Sequence, residues 1–177
     1  MDYKASLDTL CKGTTIGILI LFIAIGQKNV RLLISVNGDI KLILIHGGVL
    51  LLLISTFVGS YLYSTSKYSL SGETLVIHRP VGEVVIKLSD IAEIRLLDST
   101  DFSGVVRTFG NSGLFGYYGK YYNSKIGNMT WFVTQKKNRI LLRTHRKKKI
   151  IISPDDVSLV EKVNHYLNQR NNKLSNM

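Results

Sequence analysis

The sequence predicts a mainly β domain that is capped by a C-terminal helix and preceded by two transmembrane helices. Up to residue 63 the chain is dominated by Leu, Ile, Val and Gly, whereas from Ser64 onward it is charged, aromatic and patterned like a soluble domain. About seven short runs of β-branched and apolar residues follow, and an amphipathic stretch comes last. We therefore divide the chain into a membrane region at residues 1–63, a domain at residues 64–170 and a frayed tail at residues 171–177.

The stronger of two apolar segments, residues 42–63, is predicted to cross the membrane. It contains no Lys, Arg, Asp or Glu, and a helix that rises about 1.5 Å per residue would traverse a hydrocarbon core of roughly 30 Å. It is apolar on every face, and Tyr61 and Tyr63 at its end suit the membrane interface. We interpret His46 as a neutral imidazole near the interface rather than a proton relay, because neither segment contains an acidic or second His partner.

The first apolar segment, residues 13–27, is short for a span, but flanking lysines can extend toward the headgroups. A cleaved signal peptide is the main alternative. Two aspartates upstream and the absence of a small-residue cleavage site after residue 26 argue against it. We predict a helical hairpin with a connecting loop at residues 28–41, in which Asn37-Gly38-Asp39 marks a turn.

Seven strands are predicted in the domain, and turn residues such as Ser71-Gly72 separate them. A final helix is predicted to begin at Ser153-Pro154-Asp155-Asp156, with Ser153 as its N-cap and Pro154 at the first helical position. Its one-sided apolar face is suited to close the open end of a small sheet or barrel. The predicted strands are residues 68–70, 74–78, 83–88, 91–97, 130–134, 139–144 and 149–152.

Composition and spacing argue against several classes of function. Cys11 is the only cysteine, so neither a disulfide nor a Cys-based zinc site can form within the chain, and the four histidines are not at metal-ligand spacing. No nucleophile motif or triad spacing stands out, so we expect no enzyme activity, no cofactor and no metal. The net charge of +11 would suit nucleic acid, but a membrane tether argues against that partner.

The most unusual stretch is a Gly- and Tyr-rich segment in which glycine recurs every third residue from Gly110 to Gly119. Three interpretations remain open: a phosphate cradle of backbone N–H groups, an interaction loop whose aromatic rings dock on lipid headgroups or a partner, and an ordered loop that packs over the sheet with glycines at positive φ. The candidate interaction loop consists of Arg107, Gly110, Gly113, Phe115, Gly116, Tyr117, Tyr118, Gly119, Lys120 and Tyr121.

A basic turn at residues 145–149, HRKKK, carries four formal positive charges. Each Lys or Arg near an anionic leaflet contributes about 1 kcal/mol, so these charges would orient a tethered domain rather than recruit it from solution. The alternative is a solvated turn that keeps a sheet edge from aggregating. The candidate contacts with an anionic surface are Arg146, Lys147, Lys148 and Lys149.

The run RTFGNSGLFGYYGKYYNSK at residues 107–125, followed by GNMTWFVT at residues 127–134, resembles the bacterial pleckstrin-homology (PH) domain membrane proteins found in Bacteroidetes-like bacteria. Shorter shared pieces are YSLS at 68–71, IHRP at 77–80, LSDI at 88–91 and ISPDD at 152–156. The resemblance implies a PH-like fold, which is a bent seven-stranded sheet or barrel capped by a C-terminal helix, behind a hydrophobic hairpin. It implies no catalytic activity and no established ligand.

These observations together predict a non-enzymatic, multi-pass interaction module of the inner membrane, with the large domain in the cytoplasm, that contacts lipid headgroups or another membrane protein. The alternative is an accessory subunit of a larger membrane complex that docks through the Gly/Tyr-rich loop. A hairpin would place the N-terminus and the domain on the same face of the membrane. The basic residues near its two ends are too evenly distributed to assign that face.

Overall fold

In the computed structural model, which describes residues 1–36 and 38–175, a helical hairpin is followed by two sheets and a C-terminal helix. Short 3-10 turns at Leu88–Asp90 and Ser99–Phe102 flank the strand Ile91–Leu96. The elements in chain order are β1 (Asp2–Lys4), α1 (Thr9–Ser35), α2 (Ile40–Leu62), β2 (Lys67–Ser71), β3 (Thr74–His78), β4 (Val84–Lys87), β5 (Ile91–Leu96), β6 (Val106–Ser112), β7 (Tyr117–Asn123), β8 (Gly127–Val133), β9 (Ile140–Thr144), β10 (Lys149–Ile152) and α3 (Ser158–Ser175).

The helical hairpin consists of α1 and α2, which are both long and apolar enough to cross a membrane. Helix α1 runs well beyond the predicted residues 13–27, because Lys and Arg are good helix formers and a charge does not end a helix. Asp8 caps α1 by accepting a hydrogen bond from Cys11 N at 2.7 Å, and Asp39 caps α2 through Lys41 N at 2.9 Å. The predicted loop at residues 28–41 is therefore much shorter, and Asn37 of the predicted turn lies outside the described residues.

Aromatic and polar contacts hold the two helices side by side. The Phe22 and Phe57 ring centroids lie 6.5 Å apart. Nearer the connection, His46 Nδ1 and Asn29 Oδ1 are 2.9 Å apart. No acidic or second His partner was expected for His46 in the two segments, and the amide of Asn29 supplies a neutral partner instead.

The first sheet has the strand order β1-β2-β3-β4, and all its pairs are antiparallel. Strand β1 pairs with β2, with Tyr3 opposite Tyr68. Tyr3 is buried in a hydrophobic core formed by strands of both sheets and by α3, which we call the first core. The N-terminal residues thus belong with the sheets, which differs from a domain that begins at residue 64. Because β1 precedes α1 and β2 follows α2, both ends of the hairpin emerge on the same side.

The second sheet has the order β5-β9-β10-β8-β7-β6, in which β10 runs parallel to β8 and the other pairs are antiparallel. The Gly/Tyr-rich segment forms β6 and β7, so it is a strand pair and not a loop. With β1, this raises the predicted seven strands to ten. No barrel closes among the described residues, but the sheet-rich fold with its C-terminal helix confirms the predicted fold class.

The C-terminal helix begins at Ser158, four residues after the predicted first helical position at Pro154. Ser153 is not its N-cap: the residue is buried, and its hydroxyl accepts a hydrogen bond from Thr134 N at 2.9 Å. Asp156 instead accepts the Ser158 N–H at 2.8 Å, at the first residue of α3. Leu159 and Val163 of α3 are fully buried in the first core. The helix continues through Ser175, beyond the predicted start of a frayed tail, and residues 176 and 177 lie outside the described residues.

Candidate functional site at the junction of the sheet and the helical hairpin

Two glycines allow β6 and β7 to approach each other unusually closely. Gly110 and Gly119 are paired across the strands, with φ angles of 114° and 122°. A Cβ atom on Gly119 would overlap the carbonyl oxygen of Phe109 and lie 2.7 Å from Gly110 Cα. Backbone contact therefore explains this half of the glycine repeat, and the positive φ angles agree with the interpretation of an ordered structural segment.

The tip of the β6–β7 pair, residues 113–116, docks on the helical hairpin. Phe115 N donates a hydrogen bond to Thr15 Oγ1 at 3.1 Å, which fixes the tip to α1. The Phe115 ring lies edge-on to Phe57 and Tyr61 of α2, with centroid distances of 5.1 and 5.5 Å. Gly113 packs beside α1, since a Cβ atom there would lie 3.1 Å from Thr14 Cγ2. The tip thus contacts both helices.

Phe115 occupies a backbone conformation that costs energy. Its φ angle is +57°, in the left-handed region that residues other than glycine rarely adopt. Such a strained conformation persists only where contacts with the surrounding structure stabilise it, and it is common at functional sites. The contacts of the Phe115 ring with α2 stabilise this backbone conformation here.

Tyr118 forms a second link between the sheet and α2. Its hydroxyl donates to the Ser60 carbonyl oxygen at 2.6 Å and accepts from Asn111 Nδ2 at 2.9 Å. Burial raises the pKa of the Tyr118 phenol above its usual value, so the donor keeps its proton throughout the physiological range.

Tyr117 and Tyr121 are buried core residues. Tyr117 is buried, and its hydroxyl lies 3.3 Å from Asp8 Oδ2 just before α1. Tyr121 is also buried and stacks on Trp131 with a centroid distance of 4.1 Å. Burial raises the pKa of both phenols, and for Tyr117 the neighbouring Cys11 thiol adds to the effect. Gly116 lies in the turn, where its carbonyl oxygen accepts from Gly113 N at 2.8 Å.

The charged members of the candidate loop are accessible: Lys120 is exposed on β7, and the others' exposed part lies on β6, an edge strand of the sheet. Arg107 is exposed there. Two apolar neighbours on the same strand, Val106 and Phe109, expose 59% and 77% of their surface. Sequence reasoning did not single them out, although an apolar side chain on an edge strand is a recognisable signal for a contact surface.

A cavity of about 880 Å³ lies where the sheet meets the helical hairpin. We call it the junction cavity. Apolar residues of α1, Ile18 and Phe22, form part of its lining, and so do Gly59 and Ser60 of α2. Residues in the strands, or close to them, complete the wall, namely Arg79, Phe109, Gly110, Asn111, Leu114, Tyr118, Gly119, Lys120, Thr130 and Phe132. Thr56 and Tyr63 also contribute.

A second cavity, of about 630 Å³, continues along the same face of the sheet. It shares Lys120, Thr130 and Phe132 with the junction cavity. The basic turn lines it through Lys147, Lys148 and Lys149, whereas Arg146 is exposed outside this lining. The Lys149 ammonium donates to the Ile126 carbonyl oxygen, so that residue also has a structural contact.

Comparison with known families decides the identity of the sheet region. The family model of the bacterial PH domain matches residues 66–170. The chain belongs to the bacterial PH domain family. The match covers β6, β7, the basic turn and most of α3, and it confirms the resemblance noted in the sequence. Neither the search of curated proteins nor the search of solved structures found a match.

The PH domain and the two apolar helices that precede it support a membrane-associated PH-like module. In this PH domain, strand β1 adds one strand from outside the matched residues. Among residues 1–36 and 38–175, no group of three or more His, Cys, Asp or Glu residues is placed to hold a metal ion.

The PH domain also contains one arrangement that sequence reasoning missed. Ser69 Oγ lies 2.6 Å from His78 Nε2, and His78 Nδ1 lies 2.6 Å from Glu83 Oε1. These distances resemble a nucleophile, base and orienting acid. The three residues lie on β2, on β3 and just before β4, where they line neither the junction cavity nor the second cavity. We interpret the trio as a polar network on the sheet face.

Proposed function

We propose that this chain is a non-catalytic, membrane-anchored PH module that contacts anionic lipid at the cytoplasmic surface of the inner membrane. In this proposal α1 and α2 both span the bilayer. Strand β1, the PH domain and the ends of the hairpin then share one side of it.

The observation that carries the proposal is the direct docking of the sheet on the helical hairpin. Phe115 contacts both helices, and Tyr118 is hydrogen-bonded to α2. A domain fixed in this way cannot turn freely on a linker. Its basic cavities therefore keep a constant position relative to the points where α1 and α2 leave the lipid.

Electrostatics favour an anionic surface over a neutral one. The part of the chain from Ser64 to Met177 holds 18 Lys and Arg residues against 9 Asp and Glu residues. Cytoplasmic leaflets carry anionic lipids, and each nearby basic residue contributes about 1 kcal/mol. Because the anchor already holds the domain at the membrane, a few such contacts are enough to orient it.

Hydrogen–deuterium exchange of the full chain tests the lipid contact. We expect the amides of residues 145–149 to exchange more slowly in nanodiscs that contain phosphatidylglycerol than in neutral phosphatidylcholine nanodiscs. Salt near 1 M, where the Debye length is about 3 Å, should remove the difference. Equal exchange in both lipids at low salt would overturn the proposal.

A matched pair of variants locates the contact. Lys147→Gln with Lys148→Gln should abolish the lipid-dependent protection. Lys136→Gln with Lys137→Gln removes the same charge from the loop at the other end of β9 and should preserve it. Loss of protection in both double variants would point to net charge rather than to the basic turn.

The non-catalytic part of the proposal is tested at Ser69. A fluorophosphonate probe labels an activated serine, and we expect no labelling of Ser69 in the folded chain. Labelling that disappears in the His78→Ala variant would instead identify the trio as a working nucleophile site.

The exposed edge of β6 favours a second candidate function, that of an accessory subunit in a larger membrane complex. An unpaired edge strand with apolar side chains can pair with a strand of a partner. Phe109→Lys should then remove co-purifying proteins from native membranes while the fold is kept, whereas Val85→Lys, at an exposed apolar position on β4, should not. An unchanged set of proteins in the Phe109 variant would refute this function.

A further inference from the structure

We propose that the junction cavity holds one anionic phospholipid, with its phosphate at Arg79 and Lys120 and an acyl chain against Ile18 and Phe22. This inference rests on the proposed function, because the cavity meets lipid only if α1 and α2 lie in the bilayer. It goes further by naming a discrete site, separate from the basic turn, and the chemistry that the site selects.

The position and size of the cavity suit a lipid. Its volume of about 880 Å³ falls within the range of roughly 300–1,000 Å³ that ligand sites occupy. Ile18 and Phe22 belong to α1. The other apolar side chains of α1 are largely exposed, and lipid would cover them in a bilayer. The apolar end of the cavity is thus continuous with the surface that acyl chains would cover.

Arg79 is held in place with donors still available. Its Nε donates to the Gly82 carbonyl oxygen at 2.8 Å, and its guanidinium carbon lies 5.7 Å from the ring centroids of both Tyr63 and Phe132. No ion pair among residues 1–36 and 38–175 includes Arg79. A fixed guanidinium with free N–H groups matches the oxygen geometry of a phosphate.

Lys120 supplies the second positive charge in the cavity lining. Its Nζ donates to Thr130 Oγ1 at 2.9 Å, and Thr130 also lines the cavity. Within the described residues Lys120 likewise takes part in no ion pair. The ammonium is therefore held toward the cavity by a hydroxyl and not neutralised by a carboxylate.

The charge of the lining selects the class of lipid. Two cations and no Asp or Glu line the junction cavity. A zwitterionic headgroup would bring its own ammonium or choline toward these cations, whereas phosphatidylglycerol brings only negative charge. A water-soluble phosphate would leave the apolar end of the cavity without a partner, so the geometry favours an amphiphile.

Native mass spectrometry of the full chain, released from nanodiscs with equal phosphatidylcholine and phosphatidylglycerol, tests the site. We expect one retained phosphatidylglycerol per chain. Lys120→Gln should weaken retention about fivefold, which is the effect of removing one nearby charge. Retention of phosphatidylcholine at the same level as phosphatidylglycerol would overturn the selectivity.

A cavity-filling variant tests the position without altering charge. Gly59 lines the cavity, and a Cβ atom there would have no heavy atom within 4 Å. Gly59→Leu should therefore fold and lower lipid retention by about tenfold or more. Gly48→Leu is the matched control, because Gly48 has the same open surroundings on α2 but does not line the cavity. Equal retention in the two variants would overturn the site.

Two further arms separate this site from the proposed function. Lys147→Gln with Lys148→Gln should leave the retained lipid in place, and loss of that lipid would mean that it sits at the basic turn instead. Lipid-dependent exchange at the turn without any retained lipid would refute the site and leave the proposed function standing.

Glycerol phosphate should not displace the lipid, and full displacement at equal concentration would overturn the role of Ile18 and Phe22.

Discussion

At the scale of single residues, Gly119, like its pairing partner Gly110, has a strict steric requirement. A Cβ atom there would overlap the neighbouring strand, and the φ angle of 122° is itself unfavourable for an L side chain. The cost of the steric overlap and the cost of the backbone strain are thus combined at one position. They can be separated, because another glycine has a positive φ angle with open space around it.

Gly119→Ala should lower the free energy of unfolding by about 3 kcal/mol or more, because both the clash and the backbone strain apply. Gly72→Ala is the control: its φ angle is 54° and a Cβ atom meets nothing within 4 Å, so its cost should be about 1 kcal/mol. Denaturant unfolding followed through the single Trp131 measures both. Equal losses would contradict the close approach of β6 and β7.

Tyr68 predicts how stability depends on alkaline pH. It is fully buried, donates to the Phe132 carbonyl oxygen at 2.6 Å and accepts from Ser153 N at 3.0 Å. Burial raises the pKa of Tyr68 to about 12. A raised pKa in the folded state means that the stabilisation is complete below the unfolded value near 10 and is lost as the pH rises toward 12.

Between pH 9 and pH 12 the wild-type chain should therefore lose roughly 2–3 kcal/mol more stability than Tyr68→Phe. The variant is expected to be less stable at pH 9, because the Ser153 N–H then lacks its acceptor. Comparing how steeply the free energy of unfolding falls with pH in the two proteins cancels the contribution of other groups, which titrate in both. Parallel curves for the two proteins would show that Tyr68 does not resist ionisation.

At the scale of elements, the β6–β7 tip and α2 are expected to act as one unit. Phe115 and Phe57 are in edge-on contact at 5.1 Å, and such aromatic pairs contribute about 0.5–1.5 kcal/mol beyond area burial. A double-mutant cycle with Phe115→Ala and Phe57→Ala should show a coupling energy of that size in unfolding measurements. A cycle of Phe115→Ala with Phe109→Ala is the control, and equal coupling in both cycles would contradict the docking.

Local patterns predicted some elements well and others not at all. The two apolar helices were predicted from continuous apolar runs, and the C-terminal helix was predicted from its one-sided apolar face. Strands β6 and β7 were missed because glycine weakens a strand, and only the close pairing of Gly110 with Gly119 reveals why it is tolerated there. Strand β1 has three residues and depends on β2, which lies beyond the helical hairpin in sequence.

The sequence singled out several residues that lie at the junction, but not their contacts. Phe115 and Tyr118 were expected to meet lipid or a partner, and they meet the chain's own helices instead. Arg79 was not connected with Lys120 or Phe22, because the residue after β3, strand β7 and helix α1 come together only in the folded chain. A single sequence carries no local signal that such distant segments become neighbours in the fold.

At the scale of the whole molecule, the account depends on a membrane that α1 and α2 cross together. Strand β1 pairs with β2 and the β6–β7 tip docks on both helices, so the N-terminus and the PH domain form one body on one side. The connection between α1 and α2 must then lie on the other side. The single, buried Cys11 leaves the wild-type chain unreactive toward thiol reagents and makes these positions easy to probe.

The most direct test is labelling with a membrane-impermeant maleimide in intact spheroplasts that express Ser35→Cys or Ser124→Cys. Ser35 ends α1 next to the connection, and Ser124 is exposed in the turn between β7 and β8. We predict that Ser35→Cys reacts in intact spheroplasts, that Ser124→Cys reacts only after permeabilisation, and that the wild-type chain does not react. Labelling of both variants, or of neither, in intact spheroplasts would contradict a hairpin that spans the inner membrane with the PH domain in the cytoplasm.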